Sequence, residues 1–136
     1  MKRYVCVLLM IFCVFSVSNA QTIRNTNNST VAKIDTDGTV RNSNNSVVAR
    51  IHSNGDIRDA NNHLLGKIEN DGSIKDRNNS YLGKVESSGT VRNRNNSILG
   101  KVESDGTVKN SNNHIFGYAK GIPQMYAAVF FFFSFF

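Results

Sequence analysis

Cysteine, proline and tryptophan are scarce in this chain of 136 residues, which has two cysteines, one proline and no tryptophan. Both cysteines, Cys6 and Cys13, lie in the first 13 residues, so the rest of the chain carries no thiol. This excludes a disulfide scaffold, a zinc ribbon and a cysteine nucleophile from the body of the protein. Its stability must therefore come from packing and hydrogen bonds.

The first 20 residues have the pattern of a secretory signal peptide. Residues 1–3 carry two positive charges, residues 4–17 form an apolar run, and Ser18 and Ala20 place small residues where a signal peptidase reads. The run is too short for a comfortable membrane-spanning helix. Lipoprotein processing at Cys13 is disfavoured because the preceding residue is bulky. The sequence predicts a cleaved signal peptide over residues 1–20 and export to the periplasm, the outer membrane or the medium.

The body of the chain is one 17-residue unit repeated several times. Glycines recur at this spacing, at Gly38, Gly55, Gly72, Gly89 and Gly106. Asparagine pairs keep the same spacing, at residues 27–28, 44–45, 61–62, 78–79, 95–96 and 112–113. A fixed period indicates repeated supersecondary units, and the β-branched residues between these turns favour two short strands per unit. We predict an all-β repeat domain over residues 21–120, followed by an apolar segment over residues 121–136.

The apolar positions predict which residues face each other across the strands. A three-residue loop at the Asp-Gly turn sets Ile34 opposite Val40, and a three-residue loop at the Asn-Asn turn sets Val40 opposite Val48. Because Val48 and Ile51 are three apart, they share a face only if the strand bends between them. We predict a bulge or a sharp bend at the small residue between them. This residue is Ala32, Ala49, Gly66, Gly83, Gly100 and Gly117 in the six copies.

The two ends of the repeat array are expected to pair with each other. Without that pairing, the first and last strands would expose unpaired N–H and C=O groups, which exported β proteins usually avoid. The register sets Ile23 opposite Ala119 and Arg24 near Tyr118. The prediction is a closed ring of six units, one of them completed by the two termini.

The repeat unit resembles a known family. The run over residues 105–117, which begins Asp-Gly-Thr-Val and contains an Asn-Asn pair, is similar to the repeat of the 5-fold β-flower family of small exported bacterial proteins. Residues 117–122 and the phenylalanine-rich run over 127–133 resemble the way such chains end. The resemblance covers roughly residue 22 to the C-terminus. It implies hairpins arranged as petals around a central axis and implies no activity.

Three interpretations compete for residues 127–136, which are strongly apolar and uncharged. They could form a buried strand that plugs the ring, because the repeats leave room for a phenylalanine-rich insert. They could contact a membrane, since ten residues suit one β-strand crossing. They could bind a partner or another copy, because an exposed β-prone run self-associates. We favour the plug and predict a closed or nearly closed ring of β-hairpin repeats with an apolar C-terminal strand.

Basic residues are the most ordered polar feature, within sixteen Lys and Arg against ten Asp and Glu. The first basic row is Arg24, Arg41, Arg58, Lys75, Arg92 and Lys109, and the second basic row is Lys33, Arg50, Lys67, Lys84 and Lys101. The first row is the candidate site for a polyanion or an acidic glycan. The competing interpretation is a solvated outer face that prevents edge pairing. Nucleic acid is not the expected ligand because no aromatic residues interleave with the cations.

No residues indicate catalysis, a cofactor or a metal site. The turns at residues 35–38 and 69–72 have the alternating carboxylates of calcium loops but lack the downstream glutamate. The three histidines, His52, His63 and His114, occupy different repeat positions. We predict a non-catalytic exported β-repeat protein that acts as a structural or ligand-binding module. The alternative is a membrane-associated cell-surface protein anchored through its phenylalanine-rich end. The ligand and the oligomeric state stay open.

Overall fold

A computed structural model describes residues 21–136. The signal peptide predicted for residues 1–20 lies outside the described residues. Over the described part, the chain forms twelve short strands followed by one helix. The strands are β1 (Gln21–Arg24), β2 (Thr30–Ile34), β3 (Thr39–Asn42), β4 (Val47–Ile51), β5 (Asp56–Asp59), β6 (Leu64–Ile68), β7 (Ser73–Asp76), β8 (Tyr81–Val85), β9 (Thr90–Asn93), β10 (Ile98–Val102), β11 (Thr107–Asn110) and β12 (Ile115–Tyr118), and the helix is α1 (Gln124–Phe132).

The twelve strands of residues 21–136 close into one antiparallel barrel in which each strand pairs with its sequence neighbours. Six hairpins, numbered 1 to 6 in chain order, are formed by β1 with β2, β3 with β4 and so on through the Asn-Asn turns. Strand β12 pairs with β1, and Tyr118 lies opposite Arg24. The predicted closure is therefore confirmed. Ile23 and Ala119, the next residues along this register, are both fully buried.

We call the five turns that contain Gly38, Gly55, Gly72, Gly89 and Gly106 the Asp-Gly turns, although Asn and Ser precede the glycine in two of them. Their register is the predicted one. Ile34 pairs with Val40, and the four later copies pair in the same way. Gly38 has φ +89°, where any side chain would be strained. Its carbonyl accepts the N–H of Ile51 at 2.8 Å. The same bond occurs in the four later copies, so the ladders of hairpins 2 to 6 continue into the turns before them.

The Asn-Asn turns have the predicted three-residue loop. In hairpin 2, the N–H of Asn45 donates to the carbonyl of Asn42 at 2.9 Å. Asn45 has φ +67°, and the second asparagine of every pair lies in this left-handed region. Asparagine tolerates that conformation better than other side chains, which explains the repeated pair.

Beyond this loop, the register differs from the prediction. Arg41 pairs with Val47, but Val40 pairs with Ala49, so Val48 is the extra, bulged residue. The other five hairpins show the same shift. The predicted pairing of Val40 with Val48 and the bulge predicted at Ala49 are therefore wrong. The bulged side chain packs against the core, and the small residue opposite Val40 leaves space inside the barrel wall.

The C-terminal segment is a helix, so the predicted apolar strand is wrong. A closed barrel offers no free strand edge, whereas a helix satisfies its backbone hydrogen bonds internally. Helix α1 follows Pro123, which suits a helix start. Ala127, Ala128 and Val129 have no exposed surface. Burial of three successive helical residues means that most of the helix circumference is covered, and the covering residues are those of the barrel core. The segment therefore fills the barrel.

Helix α1 runs from the Asp-Gly turns toward the Asn-Asn turns. Near its start, Nε2 of Gln124 donates to the carbonyl of Val102, which ends β10 beside an Asp-Gly turn, at 2.9 Å. After its end, Phe135 lies beside Asn78 of an Asn-Asn turn. We call the two ends of the barrel the Asp-Gly end and the Asn end. Within residues 21–136, no helix has both the length and the apolar character needed to span a membrane.

Candidate functional site

The two basic rows face each other on the outside of the barrel wall. Lys33 pairs with Arg41. The later pairs are Arg50 with Arg58, Lys67 with Lys75, Lys84 with Arg92 and Lys101 with Lys109. Ile34 and Val40, the neighbours of the first pair, are fully buried. Because side chains alternate between faces along a strand, the cations point outward.

Five of the six residues of the first basic row form ion pairs with carboxylates. Nε of Arg92 lies 2.6 Å from Oε1 of Glu86, and Nε of Arg41 lies 3.2 Å from Oδ2 of Asp35. The other pairs are Arg58–Asp56, Lys75–Glu69 and Lys109–Glu103, at 3.1, 3.5 and 3.6 Å. These partly exposed pairs are each worth about 0–1 kcal/mol. They also neutralise the charge that an external anion would use.

The arginines of the first basic row also hold the Asn-Asn turns. Nη1 of each donates at 3.0–3.2 Å to the carbonyl of the second asparagine of its own hairpin. The four arginines are Arg24, Arg41, Arg58 and Arg92. Each of these arginine side chains thus ties its strand to the adjacent Asn-Asn turn on the outside of the barrel. The first basic row is part of the scaffold, and anion binding there stays a prediction.

A further repeated position, which the sequence patterns did not reveal as structural, shapes the Asn-Asn turns. It holds Asn25, Asn42, Asp59, Asp76, Asn93 and Asn110. In Asp59, Oδ1 accepts the backbone N–H groups of Asn61 and His63 at 2.9 and 2.8 Å. The bond from His63 is the main reason that the pKa of the Asp59 carboxyl is lowered. A side chain that closes the turn in this way explains why only Asn and Asp occur there.

Eight of the ten carboxylates flank the Asp-Gly turns. They are Asp35, Asp37, Asp56, Glu69, Asp71, Glu86, Glu103 and Asp105. Oδ1 of Asp71 accepts the N–H of Ser73 at 2.9 Å, and this bond lowers the pKa of the Asp71 carboxyl. Asp37 and Asp105 are lowered in pKa for the same reason. Over residues 21–136, no three His, Cys, Asp or Glu side chains converge as metal ligands.

Phenylalanines in the last turn of α1 and just after it occupy the space that a side chain would need at the glycines of the barrel wall. A Cβ placed on Gly117 would lie 2.5 Å from the ring of Phe131, and one on Gly100 would lie 2.7 Å from the ring of Phe132. The ring of Phe133 fills the same space at Gly83, and that of Phe135 fills it at Gly66. We call residues 123–136 the tail. Its rings at Phe131, Phe132, Phe133 and Phe135 thus contact hairpins 6, 5, 4 and 3 in turn. Hairpins 1 and 2 instead carry Ala32 and Ala49.

Around these rings, the Asn end of the barrel presents what we call the aromatic end face. It consists of Phe130, Phe131, Phe132, Phe135 and Phe136 with the six bulged residues Val31, Val48, Leu65, Leu82, Leu99 and Phe116. Phe116 meets the rings of Phe131 and Phe132 edge to face, at centroid distances of 5.3 and 5.4 Å. Phe130 stacks on Phe136 at 5.9 Å. The face is continuous with the core but partly open to solvent.

A surface pocket of about 330 Å³ lies at the edge of this face. Leu65, Leu82 and Phe135 form its apolar side, and Asp76 and Arg77 form its polar side. Asp76 is already engaged, because its Oδ1 accepts two turn N–H groups at 2.9 Å. The pocket therefore combines an apolar floor with one exposed cation.

Comparison with known proteins identifies the family. A family model described as the 5-fold beta-flower protein matches residues 18–135. No curated protein and no solved structure showed significant similarity to the chain. The matched span includes every strand, the helix and nearly the whole tail. The chain therefore belongs to the 5-fold beta-flower protein family.

Proposed function

We propose that this protein is a non-catalytic exported β-repeat module that acts through its outer and end surfaces, as a structural or ligand-binding element. The observation that carries the proposal is the filled interior. Helix α1 and the phenylalanines occupy the barrel, and Ala127, Ala128, Val129 and Phe133 are buried there. A partner must therefore be met on the outside of the wall or at one of the two ends.

The outer wall supports a ligand of opposite charge. Its cations outnumber the carboxylates, and the second basic row has few partners: Lys101 lies 3.9 Å from Glu103, and Arg50 donates to the hydroxyl of Thr39 at 3.1 Å. Long basic side chains on a closed wall attract polyanions without a shaped pocket. An acidic glycan is the ligand class that fits this surface.

The anion-binding part is tested on a sulfated polysaccharide column. Arg24 has no ion-pair partner among the described residues, whereas Arg92 is neutralised by Glu86. Arg24→Gln should therefore lower the salt concentration needed for elution more than the matched change Arg92→Gln. Equal elution of both variants and of the original protein would show that the first basic row does not bind the polysaccharide.

The export part is tested by intact-mass measurement. The full chain, produced in a Gram-negative host and released by osmotic shock, should have the mass of residues 21–136. The pattern at Ser18 and Ala20 supports this expectation. Recovery of a cytoplasmic chain that retains Met1 would contradict it.

A second candidate function is membrane association at the cell surface. The observation that favours it is the aromatic end face, where Phe136 is 40% exposed and four further phenylalanines are partly exposed. Cell fractionation separates the two candidates. Release by salt or osmotic shock supports the soluble module, and retention until detergent is added supports the membrane-associated protein.

A further inference from the structure

Exposed apolar side chains are concentrated around the Asn end of the barrel. The first residue of the second strand of each hairpin lies close to that end, and Ile98, Ile115 and Tyr81 at this position are 50%, 43% and 42% exposed. We call Ile98, Ile115 and Tyr81 the collar, because they surround the aromatic end face. The collar and the aromatic end face together form an apolar cap on the barrel. Large exposed apolar patches of this kind mark interaction sites.

Charge is distributed unevenly along the same axis. Eight of the ten carboxylates flank the Asp-Gly turns at the far end. The Asn end has exposed Arg77 and Arg94 in the turns of hairpins 4 and 5. Neither has an ion-pair partner among the described residues. Strands of four or five residues put the two ends roughly 15 Å apart, which exceeds the screening length of about 8 Å at physiological salt. The carboxylates at the Asp-Gly end therefore do little to offset the arginines. The two carboxylates at the Asn end, Asp59 and Asp76, each accept two N–H groups of their own turn.

We propose that the aromatic end face docks end-on onto an anionic lipid bilayer, with the barrel axis along the membrane normal and the Asp-Gly end in water. This inference rests on the second candidate function and names its contact surface. The partly exposed phenylalanines and the collar residues enter the headgroup region, where aromatic and apolar side chains gain by burial. Arg77 and Arg94 contact anionic headgroups at the rim.

A bilayer fits this surface better than a second copy of the chain. Face-to-face pairing of two Asn ends would bring like-charged arginines together at both rims. Head-to-tail stacking would press the apolar face onto the carboxylates of the Asp-Gly turns, which would lose their hydration. An anionic headgroup layer over hydrocarbon matches both the apolar cap and the positive rim.

The docking does not require the tail to leave the barrel. Phe132 lies against Gly100 and Phe131 against Gly117, so extraction of either ring would empty the wall. Phe136, Ile98 and Ile115 already point into solvent. The proposal is thus shallow binding by a rigid face rather than insertion of a free hydrophobic tail.

The test is co-sedimentation of the purified folded protein with vesicles of phosphatidylcholine alone or with added phosphatidylglycerol. Binding should require phosphatidylglycerol and weaken as salt is raised. Arg94→Gln should weaken binding about fivefold, whereas Lys120→Gln, which removes an exposed charge near the Asp-Gly end, should leave it unchanged. Ile98→Ser should weaken binding by roughly tenfold. Thermal melts check that each variant is folded.

Three outcomes would overturn the proposal, and they identify different failures. Equal effects of Arg94→Gln and Lys120→Gln would keep membrane association but reject the end-on orientation. No binding to either vesicle would reject the second candidate function together with the proposal, and would leave the exported module intact. A lipid-free dimer that Ile98→Ser dissociates would show that the face belongs to a second copy.

Discussion

Hairpins 1 and 2 differ from hairpins 3 to 6 at one position of the wall. The residue opposite the inward-facing strand residue is alanine in the first two and glycine in the other four. In each hairpin with glycine, a tail phenylalanine occupies the space of the missing Cβ. In the first two, the Cβ of a buried alanine occupies it. The choice between glycine and alanine therefore follows the tail, and at Gly83 and Gly100 also the neighbouring strand, whose carbonyl oxygen would lie 2.2 Å from a Cβ.

This difference shows that wall and tail act as one packing unit. A hairpin of nine or so strand residues is marginal by itself, and the barrel interior is filled by a segment more distant in sequence. The repeats set the closed wall, and the tail sets which repeats need glycine. The predictions below separate these two contributions.

The largest expected effect is that of removing the tail. A chain that ends after Ile122 lacks Ala127, Ala128 and Val129, which are fully buried inside the barrel, and should lose cooperative unfolding. A chain that lacks only Phe136, which is 40% exposed, should melt close to the full chain. Circular dichroism during heating measures both. A cooperative melt of the chain ending at Ile122 would show that the wall is stable without its plug.

A single ring should matter according to whether it contacts a glycine. Phe132→Ala should lower the free energy of unfolding by about 3 kcal/mol, because it leaves a cavity against Gly100. The matched change Phe136→Ala should cost less than about 1 kcal/mol, because that ring is at the surface. Urea unfolding provides the two values. Equal costs would contradict the role assigned to the contact with glycine.

Substitutions in the Asn-Asn turns should cost the same free energy of unfolding in a hairpin with alanine as in a hairpin with glycine. Asn45 and Asn79 lie in hairpins 2 and 4, both with φ 67°. Changing either to alanine should cost about 1 kcal/mol, because alanine is strained at positive φ. Asn44→Ala is the control and should cost almost nothing, since that residue is exposed and outside the left-handed region. A clearly larger cost in hairpin 4 would mean that the tail also supports its turn.

Acid sensitivity is the smallest expected effect. Hydrogen bonding from Ser73 lowers the pKa of Asp71 below 3.8 in the folded protein. A carboxyl whose pKa is lower in the folded than in the unfolded protein stabilises the fold at pH values above its unfolded pKa. This stabilisation is lost as the pH falls through the folded pKa. The melting temperature should therefore drop below about pH 4. Asp71→Asn should reduce that drop and change little at neutral pH, because Asn54 makes the same bond in the turn between hairpins 2 and 3. An unchanged acid response would contradict the assignment.

Much of the wall could be predicted from sequence because the repeats state the same local rule several times. The Asp-Gly turns, the pairing of Ile34 with Val40 and the closure at Arg24 and Tyr118 follow from turn chemistry and from counting unpaired edges. The ring has six hairpins over residues 21–136, although the family is described as fivefold. The number of repeats in this chain decides its symmetry.

The bulge and the tail could not be predicted in the same way. Val48 and Ala49 are adjacent, and the pattern of apolar and small residues is the same whichever of them is bulged. The rings that favour a glycine in the wall of hairpins 3 to 6 come from a segment far along the chain. The tail has strand-like composition, yet a closed barrel has no edge for it to join. Likewise, the ion pairs that tie the first basic row to carboxylates depend on the three-dimensional register.

The most direct test of the account is a double-mutant cycle between Gly117 and Phe131. Gly117→Ala alone should destabilise the protein, because its Cβ would lie 2.5 Å from the ring of Phe131, whereas the nearest backbone atom, the carbonyl oxygen of Arg24, would lie 3.1 Å away. Combined with Phe131→Leu, the loss should be smaller than the sum of the single changes by about 1 kcal/mol. Combined with Phe136→Leu, the losses should simply add. If Gly117→Ala and Phe131→Leu were also additive, the tail would not determine the glycine positions, and wall and tail would be independent.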